Sequence, residues 1–527
     1  MIPASEWKFF EAVEQRIRHL ARHGMENEIA LRTGLPLSTD PAELSGRLAG
    51  IAQEQDFPAR LEQALAMDPT PEQLGRLRAL HRWALATLFE THPDIAPLAQ
   101  ELRERRAAFR PRVAGREVTH AQIRRILAEE PEGAIREEAW KATAPLGEAI
   151  QPLAAELLRR RELLARTVAG TGFPEIAFHI LELDRSESVG LLDAVERYTR
   201  GAYQQAKREI RAVLGLQEVA PWDMDYGLMR LSPLPPDAFG RPSPLDAVHA
   251  QARRWGFDPQ AAGLRWEPCD LPFEVRVLPM EIPGAIRLLH APLEGHEGHR
   301  KAFRAAGRAL FAARARAGAG PADADSSLAA LTAGAVFESV TRDPVWLAEL
   351  TGAPPPALRA HLRALRFTRI LALRRHAAAA AFENMAYAAA DLDPQRLHAA
   401  VEEQMLEQIR RQEVRWPADP FWVERPMFHA AAILAELGAA QLLDRMREKF
   451  PAPAGDPGAG EWLRARLFDA DHALDGPALV EAAAGGPLGL GAFAQENDLT
   501  MEPAALAPVD EISDEAVAEY FKDIDLS

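Results

Sequence analysis

Along most of the chain apolar residues recur at three- and four-residue spacing, with Ala, Leu, Arg and Glu between them, a pattern that predicts amphipathic helices almost throughout. The clearest strand pattern runs from Phe273 to Leu278, where Phe273, Val275 and Val277 alternate with Glu274 and Arg276, and Pro279 and Pro283-Gly284 punctuate it. Clusters of Pro and Gly at 215–221, 232–244, 318–325, 352–356 and 451–460 predict loops. The alanine run 377–381 leads from Arg374-Arg375-His376 into Phe382 and reads as the small-residue face of a helix. Arg159-Arg160-Arg161 lies among Leu157, Leu158, Leu163 and Leu164, which predicts a solvated charged face.

The end of the chain differs in kind. After Pro503 and Pro508 comes the acidic stretch 510–525, in which Val517, Tyr520, Phe521 and Ile524 fall on one helical face and Ser513 is placed to cap the start. This predicts a short amphipathic helix in an acidic tail, either packed on its own body, disordered, or docking a protein partner.

With 527 residues, 47% of them hydrophobic and 26% charged, the chain is folded and large enough for two lobes or one very large helical body. A net charge of −16 argues against a nucleic-acid surface, which needs a concentrated positive face. Cys269 is the single cysteine, so no internal disulfide and no cysteine zinc cluster can form, and a reducing cytoplasm fits. No run of about 18 uncharged apolar residues and no signal-peptide pattern is present, so neither a membrane span nor secretion is expected.

The chemistry concentrates in Leu293-Glu294-Gly295-His296-Glu297-Gly298-His299 and in Gly334 to Leu347, which contains Phe337-Glu338 and Asp343-Pro344. The first stretch resembles a broken H-E-x-x-H zinc helix. That motif puts two imidazoles four residues apart on one helix face, with the Glu beside the first as general base for metal-bound water. The second stretch is similar to the segment that carries the third ligand in the zinc oligopeptidases of the thimet, oligoendopeptidase F and angiotensin-converting-enzyme type, a gluzincin group. Trp140, Glu156 to Arg166 with Gly172-Phe173, Pro221-Trp222-Asp223-Met224-Asp225-Tyr226, Leu434-Ala435-Glu436-Leu437 and Gly460-Glu461-Trp462-Leu463 resemble further family segments, in the family's order.

The resemblance implies an all-α fold with a minor β-ribbon: a large, two-lobed helical ellipsoid with a deep central cleft. It divides the chain into an N-terminal helical lobe 1–285 with the ribbon near 273–283, a zinc-helix and C-terminal lobe 286–500, and the tail 501–527. Aligning Gly298-His299 with the family's terminal Gly-His pair puts Gly295 at the first His and His296 at the Glu. Counting back seven residues from Glu338 puts Leu331 at the third ligand. A glycine and a leucine cannot hold zinc, so the resemblance implies a degenerate site with only His299 in role. Tyr or His near Leu434-Ala435 would stabilise the oxyanion in the family. Here no Tyr occurs between Tyr387 and Tyr520, and His429 is the nearest substitute.

Three readings of the histidines stand side by side. His296 and His299 are hydrogen-bonded residues of a half-buried helix; or, one turn apart, they bind metal with Glu338 or Glu294 while Glu297 is the base; or the motif lies elsewhere. The expected function is accordingly an oligopeptidase-like protein that acts as a peptide- or protein-binding or structural partner without zinc, catalysis or cofactor. The alternative is an active one-zinc peptidase built on His296, His299, Glu338 and Glu297.

Overall fold

The computed structural model describes residues 2–54, 56–269, 275–281, 284–314, 327–388, 393–408, 413–470 and 476–500. The tail with Val517, Tyr520, Phe521 and Ile524, and the first two residues of the expected strand, Phe273 and Glu274, lie outside them. The architecture is mainly α, as the periodicity predicts, and forms two units that alternate along the chain. One comprises Met1–His92, Pro236–Gly352 and Gly438–Leu488; the other comprises Pro93–Pro235, Ala353–Leu437 and the described residues from Gly489.

In the first unit the helix Ala4–Thr33 buries Phe10, Val13, Ile17 and Leu20, a run at helical spacing, against Phe57, Leu61, Leu77 and Leu80. The strand pattern near 275 becomes part of a larger element than a ribbon. Leu264–Pro268, Val275–Glu281 and Ala285–His290 form a three-stranded sheet with Ala285–His290 in the centre. It pairs parallel to the first strand, Trp266 opposite Leu288, and antiparallel to the second, Val277 opposite Leu288. A central strand buried on both faces loses the alternation that marks a half-buried one, and Ile286, Leu288 and Leu289 are all fully enclosed. That is why its sequence announces an apolar segment rather than a strand.

The sheet leads directly into the helix Gly295–Arg314, called here the motif helix. Its Ala305, Ala309, Ala312 and Ala313 pack on Val277, Ile286 and Leu288, small residues letting the helix approach the sheet. On another face it meets the helix Leu328–Ser339, the glutamate helix, every residue of which is buried. A Cβ on Gly307 would lie 2.5 Å from Ala333 O and 2.9 Å from Gly334 Cα, so the crossing is as close as two backbones allow.

The second unit is built on the long helices Ala144–Ala169, Arg185–Leu214 and Pro355–Ala388. Arg161 departs from the solvated face expected for the 159–161 run. It is buried and donates to Trp422 O at 2.6 Å, Val423 O at 2.8 Å and the Tyr387 hydroxyl at 3.2 Å, whereas Arg159 stays in solvent with Glu156. Arg374 does the same work deeper in, donating to Met405 O, Glu196 O and Thr199 Oγ1. Guanidinium groups suit this because a rigid fork of donors satisfies several carbonyls at once. The Pro221-Trp222-Asp223 stretch also has a structural partner, since buried Asp223 accepts from buried Arg136 at 2.6 Å. Among the described residues no helix is long and apolar enough to cross a membrane.

Candidate functional site

The motif helix begins at Gly295, whose φ of +61° is left-handed backbone and whose missing Cβ faces open space. Position 295 therefore starts the helix instead of continuing a turn within it. Gly298 has a different reason, because a Cβ there would press to 2.6 Å on Leu293 C.

His296 is half-buried. Its Nε2 lies 2.9 Å from Thr341 O, to which it donates, and its ring meets Phe239 edge-on. Burial pushes the imidazole down to about 4, against the Thr341 contact, so it is neutral at neutral pH. His299 is completely enclosed. Its Nδ1 stands 3.0 Å from Gly295 O and its Nε2 3.3 Å from Pro242 O. Burial lowers it as well, against those two carbonyls. A metal at the usual distance of about 2 Å from His296 Nε2 or from either nitrogen of His299 would be driven onto a carbonyl oxygen already lying in the lone-pair direction. The donor set does not fit zinc.

The carboxylates are engaged too. Glu338, buried on the glutamate helix, is ion-paired with Arg304, with Arg300 at 3.3 Å and with Arg342 at 3.6 Å. Burial opposes its ionisation, but Arg304, Arg300 and Arg342 outweigh that and hold the carboxyl far below the usual range. Glu297, half in solvent, accepts from Arg300 at 2.6 and 2.7 Å and sits 3.4 Å from Lys301 Nζ. Against the cost of losing water, Arg300 and then Lys301 bring it down to about 2. A carboxylate so neutralised makes a poor general base. Leu331 is buried and belongs to the same helix as Glu338. Among the described residues no group of three or more His, Cys, Asp or Glu could hold a metal ion.

His429 belongs to the second unit. Its Nδ1 is 2.9 Å from His376 Nδ1, so one ring donates to the other, and its Nε2 is 3.4 Å from Asp419 Oδ2. Nearby Glu383 accepts from Met427 N at 2.9 Å with one oxygen, while its Oε1, although buried, has no hydrogen-bond partner. Burial pushes this carboxyl up to about 8.

Sequence reasoning picked out neither the arginines around Glu338 nor Glu383. The signal for the first was present: Arg300, Arg304 and Arg308 recur every four residues on an otherwise Ala- and Phe-rich helix. Glu383 gives none, because a lone Glu beside an alanine run looks like any exposed helix position.

The backbone has close likeness among solved structures. A protein described as oligoendopeptidase F superposes with a TM-score of 0.69 at 15% identity, covering 100% of this chain and 98% of that one. The fold is that of the oligoendopeptidases. PZ peptidase A, solved with an inhibitor, gives a TM-score of 0.67 at 14% identity over 92% of this chain and 88% of its own. The M32 carboxypeptidase from Deinococcus radiodurans R1 gives 0.56 at 15% identity, covering 94% and 100%. No family model and no curated protein matches the chain. At 15% identity the oligoendopeptidase backbone is matched almost end to end while most side chains along it differ.

Proposed function

We propose that this protein binds a peptide or protein ligand on an oligopeptidase fold and carries out no zinc-dependent cleavage, working in a reducing cytoplasm that suits its single cysteine. The observation that carries this is the state of Glu338. It is the only acidic residue on the glutamate helix, and Arg304, Arg300 and Arg342 already supply the positive charge that a divalent ion would bring to it. A cation brought to this carboxylate would have to displace guanidinium groups and leave them crowded against its own charge, which costs several kcal/mol in a low-dielectric setting. The alternative, a working site of His296, His299 and Glu338 with Glu297 as base, needs all four groups released from the partners they have.

Likeness to PZ peptidase A and to a carboxypeptidase supports a peptide as ligand class, since those folds are shaped to take one. The test is metal analysis of protein purified without an affinity tag, together with incubation with a short peptide library. The expected result is zinc well below one equivalent per chain, no chelator-sensitive cleavage, and retention of a subset of the peptides on the immobilised protein. One zinc per chain with cleavage abolished by chelator overturns the proposal.

A further inference from the structure

A metal shared by two helices needs all its ligands at one level of the pair, because each ligand atom lies about 2 Å from the ion. The levels here are fixed by contacts. The glutamate helix runs antiparallel to the motif helix: Thr341, just past its end, meets His296; Glu338 meets Arg300 and Arg304; and a Cβ on Gly334 would lie 2.8 Å from both Arg304 O and Arg308 Cγ. One turn further along, Leu331 continues this progression toward Arg308, and away from His299, which lies more than two turns back on the motif helix. Leu331 and His299 therefore do not share a level.

Two residues four apart do lie beside that level, Arg304 and Arg308, since Gly334, one turn from Leu331, meets both. The residue before the second is Gly307, which together with Gly334 lets the two helices touch by having no side chain. Resting on the non-catalytic proposal above, we infer that the emptied zinc motif of this chain is Arg304-Ala305-Ala306-Gly307-Arg308 with Leu331, rather than Gly295 to His299. Two guanidinium groups then stand where H-E-x-x-H has its imidazoles. Ala305, packed toward Val277, Ile286 and Leu288, stands where that motif has its general base. The fixed charge of Arg304 on Glu338 takes over the structural part of the ion's role, tying the two helices together without an exchangeable cofactor.

The test restores ligands and reads zinc uptake, not activity. Arg304→His/Arg308→His and the same pair with Leu331→Glu are stripped of metal, checked for helical content by circular dichroism, and titrated with zinc against a competing chelator. The expected result is one zinc per chain in both, at least tenfold tighter with Leu331→Glu, and no comparable uptake by Gly295→His/His296→Glu/Leu331→Glu. Equal affinity with and without Leu331→Glu, or tighter binding by the 295–296 variant, overturns the inference. If the carboxylate that Leu331→Glu buries prevents folding, Arg308→Cys/Leu331→Cys in a Cys269→Ser background replaces it. That pair should oxidise to a disulfide while His299→Cys/Leu331→Cys does not, and the reverse pattern, or crosslinking of neither pair, overturns the inference. None of these outcomes bears on wild-type zinc content, which judges the non-catalytic proposal by itself.

Discussion

Arg304 and Glu338 join two closely crossing helices of the first unit by a salt bridge in which the carboxylate is buried and the guanidinium one-quarter exposed. Arg300 and Arg342 add to the same carboxylate through its other oxygen, Oε1. The cluster is asymmetric: several cations with access to solvent converge on one anion without it. Such an anion stabilises the fold only while its partners are present, and removing its charge leaves arginines facing each other across a tight crossing.

Glu338→Gln is therefore expected to destabilise the protein by about 3 kcal/mol. The same pair dictates a response to acid. The folded carboxyl is depressed below its usual value of 4.5, so its stabilisation is complete above that pH and is lost as pH falls through it toward the folded value. Urea unfolding of both proteins at pH 7 and pH 4 should show the gap between them narrowing in acid. A gap under about 1 kcal/mol at pH 7 would mean that the three arginines are satisfied elsewhere.

The helices and most loops were legible because periodicity and Pro/Gly punctuation are local signals. The likeness to oligopeptidases was legible because segments such as Pro221-Trp222-Asp223 resemble the family's in kind and order. The centre of the sheet was not, since Leu288, Leu289 and His290 are all buried and break off the alternation that Ile286 and Arg287 begin. Arg161 read as surface charge because its carbonyl partners, Trp422 O and Val423 O, are distant in sequence. At the site, the histidines drew attention through their chemistry. The level at which two helices meet is a tertiary quantity, and only the Gly307 and Gly334 contact reveals it.

That contact makes its own prediction. Gly307→Ala places a methyl carbon 2.5 Å from a carbonyl oxygen on a helix with no room to move, and should cost about 3 kcal/mol or more. Gly295→Ala meets no atom but keeps a φ of +61°, and should cost only about 1 kcal/mol. Thermal melts of the two variants should rank in that order. Equal losses would show that the helix crossing is looser than its two glycines imply.

His296 should make the fold sensitive to mild acid in a second, separable way. Its imidazole is held neutral, with a folded value near 4 against an ordinary 6.5, so the unfolded chain takes up a proton first as pH drops. Stability tied to this residue is whole above 6.5 and declines from there down to about 4. His296→Asn, which can still donate to Thr341 O, should flatten that part of the profile relative to wild type. A profile unchanged between pH 6.5 and 4 would place the titrating group elsewhere.

Glu383 gives the opposite slope. Its carboxyl is raised by burial to about 8, with Arg161 pulling it down and Asp419 pushing it up, while an unfolded Glu ionises near 4.5. Between those values the folded chain keeps a proton that the unfolded chain releases, so stability falls as pH rises from 4.5 to 8 and levels off above. Glu383→Gln keeps an oxygen to accept from Met427 N and cannot ionise, so the slope should vanish. At pH 7 the variant should be more stable than wild type by roughly 1–3 kcal/mol, and at pH 4.5 the two should coincide. Because Met427 has a φ of +59°, loss of its hydrogen bond would also release a strained turn ahead of the helix Phe428–Lys449. Glu383→Ala, which removes both oxygens, should therefore be destabilised at every pH. If Glu383→Gln is instead the less stable protein at pH 7, the carboxylate is ionised in the fold and Arg161 is its counter-ion.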